Sequence, residues 1–202
     1  MIAVIESIAL TSALFYTKIF FCAKAPWFVT IPRKKTRRNS IMKVKLLTTS
    51  AIVAALYIAI TMLVAPISFG QVQFRIAEIF NHLVAFNPRF AIGVTIGVLL
   101  SNALFSTVGP IDLVFGVGHT IITLAIFIGI CKLVKNIWAR LIINSLLFTF
   151  TMFIIALQLN LVLEFPFWET WLFVAAGEFV VMMVGVPIMY ALNKRLQFNK
   201  MI

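Results

Sequence analysis

The chain has 202 residues, 62% of them hydrophobic and 11% charged, with a formal net charge of +11. That balance excludes a water-soluble globular domain and leaves an all-α integral membrane protein built from apolar helices. Nucleic acid is not the partner that the positive charge implies, because a nucleic-acid binder carries its basic residues on a soluble face beside aromatic platforms, whereas these gather at helix ends.

At about 20 apolar residues per crossing, the length allows about six or seven helices and no second domain. The stretch Ile2 to Ile31 is apolar but broken by Glu6, Lys18, Lys24 and Pro26, and the basic run Arg33-Lys34-Lys35-Thr36-Arg37-Arg38 follows it. An extra crossing or surface helix held by anionic lipid, a targeting segment, and sequence upstream of the true start are three readings of residues 1–41. The third is preferred, because Met42-Lys43-Val44-Lys45 is a self-sufficient start for the first core helix. The organisation expected is an N-terminal extension over 1–41 and a six-helix transmembrane domain over 42–202.

Apolar runs predict helices near residues 46–65, 75–86, 90–108, 111–134, 139–162 and 169–193. Pro66, Ser68 and Gly70 break the first, Asn87-Pro88-Arg89 turns the chain after the second, and Gly109-Pro110 ends the third. Lys132, Lys135 and Arg140 bracket the fourth link, and the segment from Gln158 to Thr170 is expected to form the longest loop. The second helix is too short to cross at right angles unless the loop before it dips into the bilayer. Irregular backbone at that depth survives only where protein or water satisfies it, which points to a cavity.

Lys43 and Lys45, Arg89, the Lys132–Arg140 group, and Lys194, Arg195 and Lys200 all fall at alternate ends of the six helices, hence on one side. The intervening loops carry no lysine. The positive-inside rule therefore predicts cytoplasmic N- and C-termini for the core and an outward-facing polar loop at 66–74.

Few residues can carry chemistry. Cys22 and Cys131 lie far apart with no ligand partner nearby, so neither a disulfide framework nor a metal site is indicated, and no phosphate-binding loop is present. Arg75, Glu78, Asp112 and Glu178 fall in or near crossings, where a charge costs about 2.5–3.5 kcal/mol at a helix centre. All four share the outer half of the membrane, near the neutral groups Gln71, Gln73, Asn81, Asn102, His119 and Asn144. Mutual pairing explains Arg75 and one acid but leaves the other carboxylates over. A pocket of carboxylates, carboxamides and one guanidinium suits a flat, polar heteroaromatic molecule, so Gln73, Arg75, Glu78, Asn81, Asn102, Asp112 and Glu178 are the candidate substrate-binding residues. Phe165, Phe167, Trp168 and Trp171 fit an interfacial aromatic belt or a stack over the pocket mouth. Two stripes of small residues recur at four-residue spacing. Ala51, Ala55 and Ala59 serve either internal packing or docking of a partner helix; Gly93, Gly97 and Ser101 are assigned to internal packing.

The stretch APISFGQVQFRIAEIFNHLVAFNPRFAIGVTIG, continued by SNALFSTVGPIDLVFG and GEFVVMMVGVPIMYAL, resembles the QueT family, the S components of energy-coupling factor (ECF) transporters linked to queuosine precursors. The resemblance runs from Met42 to about Arg195 and does not touch residues 1–41. It implies a membrane subunit of six helices with no catalysis and no cofactor. Such a subunit captures a nutrient outside and topples to release it inward, with a transmembrane T component and a cytosolic ATPase pair as partners. The Ala51, Ala55, Ala59 stripe matches the family's alanine motif for docking the T component. The implied cargo is a 7-deazaguanine bearing a cyano or aminomethyl group. A carboxylate can take its N1–H and 2-amino donors, but the sequence leaves open which acid does so. An intramembrane enzyme and a purely structural membrane subunit are the rival classes; no Ser/Lys dyad or metal motif favours the first.

Overall fold

The computed structural model describes residues 33–68, 74–106 and 108–201 and is helical, with no strand among those residues. The chain divides into the units Met1–Asn39 and Ser40–Ile202. In the first, the described residues begin the helix α1 (Arg33–Ser68); the rest of the expected 1–41 extension, up to residue 32, lies outside the described residues.

After α1 come a 3₁₀ helix (Ile76–His82), α2 (Leu83–Phe86), α3 (Phe90–Phe105), α4 (Pro110–Cys131), α5 (Ile137–Thr151), α6 (Phe153–Leu163), α7 (Phe167–Leu196) and a final 3₁₀ turn at Phe198–Lys200. Met42–Ala65, Pro110–Cys131, Ile137–Leu163 and Phe167–Leu196 are long and apolar enough to cross a bilayer, while Ile76–Phe86 and Phe90–Phe105 are shorter apolar segments. An all-α membrane protein with six helical segments is the result. Its outer surface displays large apolar side chains such as Leu63, Leu133 and Val114, the surface a lipid solvent selects.

The first helix runs from Arg33 through Pro66 to Ser68 rather than 46–65, and the expected 139–162 helix is divided at Met152. Three other boundaries depart from the sequence expectation. The third helix stops at Phe105 rather than 108, because Ser106 turns to extended backbone and its hydroxyl accepts from the Val108 amide at 3.1 Å, an alternative to the next helical bond. The expected 158–170 loop shrinks to Glu164–Pro166 between α6 and α7. Apolar residues carry the helix to Leu163, where Glu164 adopts a left-handed φ of 58° and the Asn160 amide donates to the Phe165 carbonyl at 2.6 Å. The second segment begins not as an α-helix but as seven residues of 3₁₀ helix.

Close packing of α1 on α3 rests on the glycine stripe. A Cβ on Gly93 would stand 2.9 Å from Ser50 Cα, and one on Gly97 would stand 2.7 Å from Tyr57 Cβ. Ser101, the third member of the stripe, is fully buried. Small residues at this spacing let backbones approach where lipid supplies no hydrophobic drive. Gly93→Leu is therefore expected to lower stability by about 1–3 kcal/mol through overpacking. Thermal unfolding of the detergent-purified protein checks this, and an unchanged midpoint would contradict it.

The basic turns collect at one end. Arg140 donates to the carbonyls of Ala85 at 3.2 Å, Cys131 at 2.7 Å and Val134 at 2.7 Å, tying the end of α2 to the end of α4. Phe198 packs on Phe86 and Phe90 with ring centroids 5.6 and 5.9 Å apart, which brings the C-terminal end of α7 to the same place. The N-terminal ends of the 3₁₀ helix and α4 lie at the opposite end, with Arg75 and Asp112.

Candidate functional site

The site starts with the 3₁₀ helix. At three residues per turn, positions three apart eclipse one another, so Arg75, Glu78 and Asn81 line up on one edge. Arg75 Nη1 lies 3.6 Å from Glu78 Oε1, and the Asn81 amide donates to Glu78 Oε2. From α1 the Tyr57 hydroxyl donates to Glu78 Oε1 at 3.0 Å. Both oxygens of Glu78 are thereby engaged, inside a site where the residue is completely buried.

A second branch leaves the guanidinium. Arg75 Nη2 donates to Asn102 Oδ1 at 2.8 Å, the Asn102 amide donates to the Asp112 carbonyl at 3.2 Å, and the Gln158 amide donates to Asp112 Oδ1 at 2.9 Å. Gly116 makes the middle link possible, since a Cβ there would run into the Asn102 amide. Segments 27 and 46 residues apart in sequence are joined by these side-chain bonds, and α3, α4 and α6 are held to the 3₁₀ helix through polar contacts.

Glu178 differs from the other acids. It is fully buried on α7, and neither carboxylate oxygen has a hydrogen-bond partner among the described residues. It lies close enough to Arg75 and Glu78 for their charges to act on it, and Arg75 in turn feels Asp112. The charges of three carboxylates thus act on one guanidinium. A buried, unengaged carboxylate costs several kcal/mol after relaxation, so Glu178 is the least satisfied group of the cluster.

Polar contacts of two histidines continue inward. His82 Nε2 donates to the Met182 carbonyl at 3.0 Å, and its Nδ1 accepts from the Asn144 amide at 3.3 Å. His119 Nε2 bonds Thr151 Oγ1 at 2.9 Å, linking α4 to the end of α5. Thr151 also bonds back to the Leu147 carbonyl at 2.9 Å, at the point where α5 gives way to α6; such back-bonding bends helices.

The structure thus brings together Arg75, Glu78, Asn81, Asn102, Asp112 and Glu178. Gln73, and Gln71 beside it, lie outside the described residues. Tyr57 and Gln158 are members that sequence reasoning missed. A tyrosine inside an apolar helix was the available signal, since a buried phenol needs a hydrogen-bond partner; Gln158 was hidden by its assignment to a loop. The aromatic residues form their own cluster, with Trp171 edge-on to Phe150 at 6.1 Å and Trp168 at 5.2 Å from Phe167. A groove of about 370 Å³ between α3 and α4 is lined by residues such as Ile92, Ile96, Leu124 and Ile128; it is apolar and separate from the charged cluster.

Ala51, Ala55 and Ala59 are all exposed, while Val53, Ala54 and Tyr57 of the same helix are buried. The alanine stripe therefore faces away from the bundle that the described residues form.

The family model described as QueT transporter matches residues 47–194. The chain is 36% identical over 161 residues to the queuosine precursor transporter QueT of Lactococcus lactis subsp. cremoris (strain MG1363), an alignment covering 75% of this chain and 94% of that protein. No solved structure matches the chain. The matched residues hold the charged cluster and all four long apolar spans save their outermost turns, and the chain belongs to the QueT transporter family: it is a membrane transport protein and not an enzyme.

Proposed function

We propose that this protein is the substrate-capturing S component of an ECF importer and that its cargo is a queuosine precursor of the 7-deazaguanine type. The observation that carries this reading is a fully buried carboxylate with both oxygens unengaged, Glu178, beside a prearranged polar network. A site rich in buried acceptors suits a planar heterocycle edged with N–H donors, and the relative from Lactococcus lactis is named for queuosine precursors. Arg75, Glu78, Asn81, Asn102, Asp112 and Glu178, with Gln73 two residues before Arg75 in the sequence, are the residues we assign to holding or shaping the cargo.

The basic end of the bundle faces the cytoplasm by the positive-inside rule, so both termini of the core are cytoplasmic and the charged cluster lies towards the outer side of the bacterial plasma membrane. Energy comes from a cytosolic ATPase pair acting through a transmembrane T component, which the outward-facing Ala51, Ala55, Ala59 stripe contacts.

Thermal unfolding of the purified protein with 7-aminomethyl- or 7-cyano-7-deazaguanine tests the reading. At 100 times its dissociation constant, a specific ligand is expected to stabilise the protein by about 2.7 kcal/mol. No shift with either compound would leave a structural membrane subunit as the better description.

A further inference from the structure

Which groups of the cluster face the cargo follows from which of their atoms are already engaged. Carboxylates accept and do not donate when ionised. The NH₂ groups of Asn81 and Gln158 must therefore point at Glu78 and Asp112, the partners they bond, which turns their carbonyls the other way. Asn81 Oδ1 and Gln158 Oε1 are both buried and have no hydrogen-bond partner among the described residues, as with the two oxygens of Glu178. The helix carrying Glu178 packs against both the 3₁₀ helix of Asn81 and the α6 of Gln158. All four unengaged oxygens are acceptors. The donors that bond within the cluster are turned to its own acceptors: Arg75 Nη1 faces Glu78, Arg75 Nη2 bonds Asn102, and the Asn102 amide bonds the Asp112 carbonyl.

Resting on the reading above, we propose that Glu178 is the specificity-determining contact, taking the N1–H and 2-amino edge of the cargo as a two-pronged pair, with Asn81 Oδ1 and Gln158 Oε1 accepting from its other N–H donors. Arg75 is a positioning residue that fixes Glu78 and Asn102 and does not touch the cargo. A two-pronged contact needs a carboxylate with both oxygens available. Glu78 has both occupied and Asp112 has Oδ1 occupied, so Glu178 is the carboxylate that fits. The consequence is discrimination at ring position 2: a ligand with hydrogen there loses one of the two bonds to Glu178.

The test compares 7-aminomethyl-7-deazaguanine with its 2-deamino analogue, by calorimetric titration of the purified full chain and of Glu178→Gln. The wild-type protein is expected to bind the 2-deamino analogue about 10- to 100-fold more weakly, the range that bonds to a charged group give. In Glu178→Gln the carboxamide presents one acceptor and one donor, so binding of the parent compound falls by a similar factor and the discrimination shrinks towards unity. Equal affinity of the wild-type protein for both compounds would overturn the inference without any variant being made. Retention of affinity and discrimination by Glu178→Gln would do the same while leaving the proposed function standing. A wild-type protein that binds neither compound would instead overturn the reading on which the inference rests.

Discussion

Arg75→Met is expected to destabilise the folded protein by about 3–5 kcal/mol, because it strands Glu78 inside the bundle with no compensating charge. Glu78 is completely buried and Arg75 is only 5% exposed, so water cannot take over the lost interaction. The substitution also removes the donor to Asn102 and loosens the chain of bonds that runs on to Asp112 and Gln158. Glu178→Gln is expected to behave in the opposite way. Its carboxyl group has no bonding partner among the described residues to lose, and a carboxamide of the same shape fills the same buried space without carrying a charge. Stability of that variant should match or exceed that of the parent. Adding Glu78→Gln to Arg75→Met should recover part of the loss, since the stranded charge is then gone. Chemical or thermal unfolding of the three detergent-purified variants checks the pattern. Wild-type stability of Arg75→Met would mean that the pair contributes nothing to the fold, and a large loss in Glu178→Gln would mean that Glu178 is engaged structurally.

On the S-component role proposed above, Ala55→Trp is expected to abolish uptake in cells that make the partner subunits while leaving cargo binding by the isolated protein intact. Ala51, Ala55 and Ala59 are exposed and stand one turn apart. Bulky neighbours flank them, with Ile52, Leu56 and Met62 exposed at 55%, 48% and 66%. The small residues thus form a shallow furrow in an otherwise bulky lipid-facing surface, the shape that lets another helix approach closely. An indole at Ala55 fills the furrow, yet it points away from Tyr57, whose hydroxyl reaches the charged cluster on the other side of the helix. Uptake of labelled precursor and calorimetric binding, measured on the same variant, separate docking from capture. Uptake at the wild-type rate would rule out this furrow as the docking surface. Loss of binding would place the residue in the cargo site.

The sequence by itself determined the membrane class, the six helical segments, the gathering of basic residues at one end and the polar residues at the other. These follow from local properties: apolar run length, proline and glycine punctuation, and the charge of each turn, all of which a chain carries before it folds. It also brought forward Arg75, Glu78, Asn81, Asn102, Asp112 and Glu178, since charge and amide groups are rare in apolar helices. Only the tertiary structure decided how these groups share their bonds. A three-residue spacing fits an α-helix and a 3₁₀ helix alike, so the eclipsed edge of Arg75, Glu78 and Asn81 became visible only with the backbone. That Tyr57 and Gln158 complete the network, and that Glu178 stands apart from it, depends on helices brought together from positions 21 and 46 residues apart. Hydrogen bonding across a bundle is set by which helix faces meet, and no local pattern along the chain encodes that.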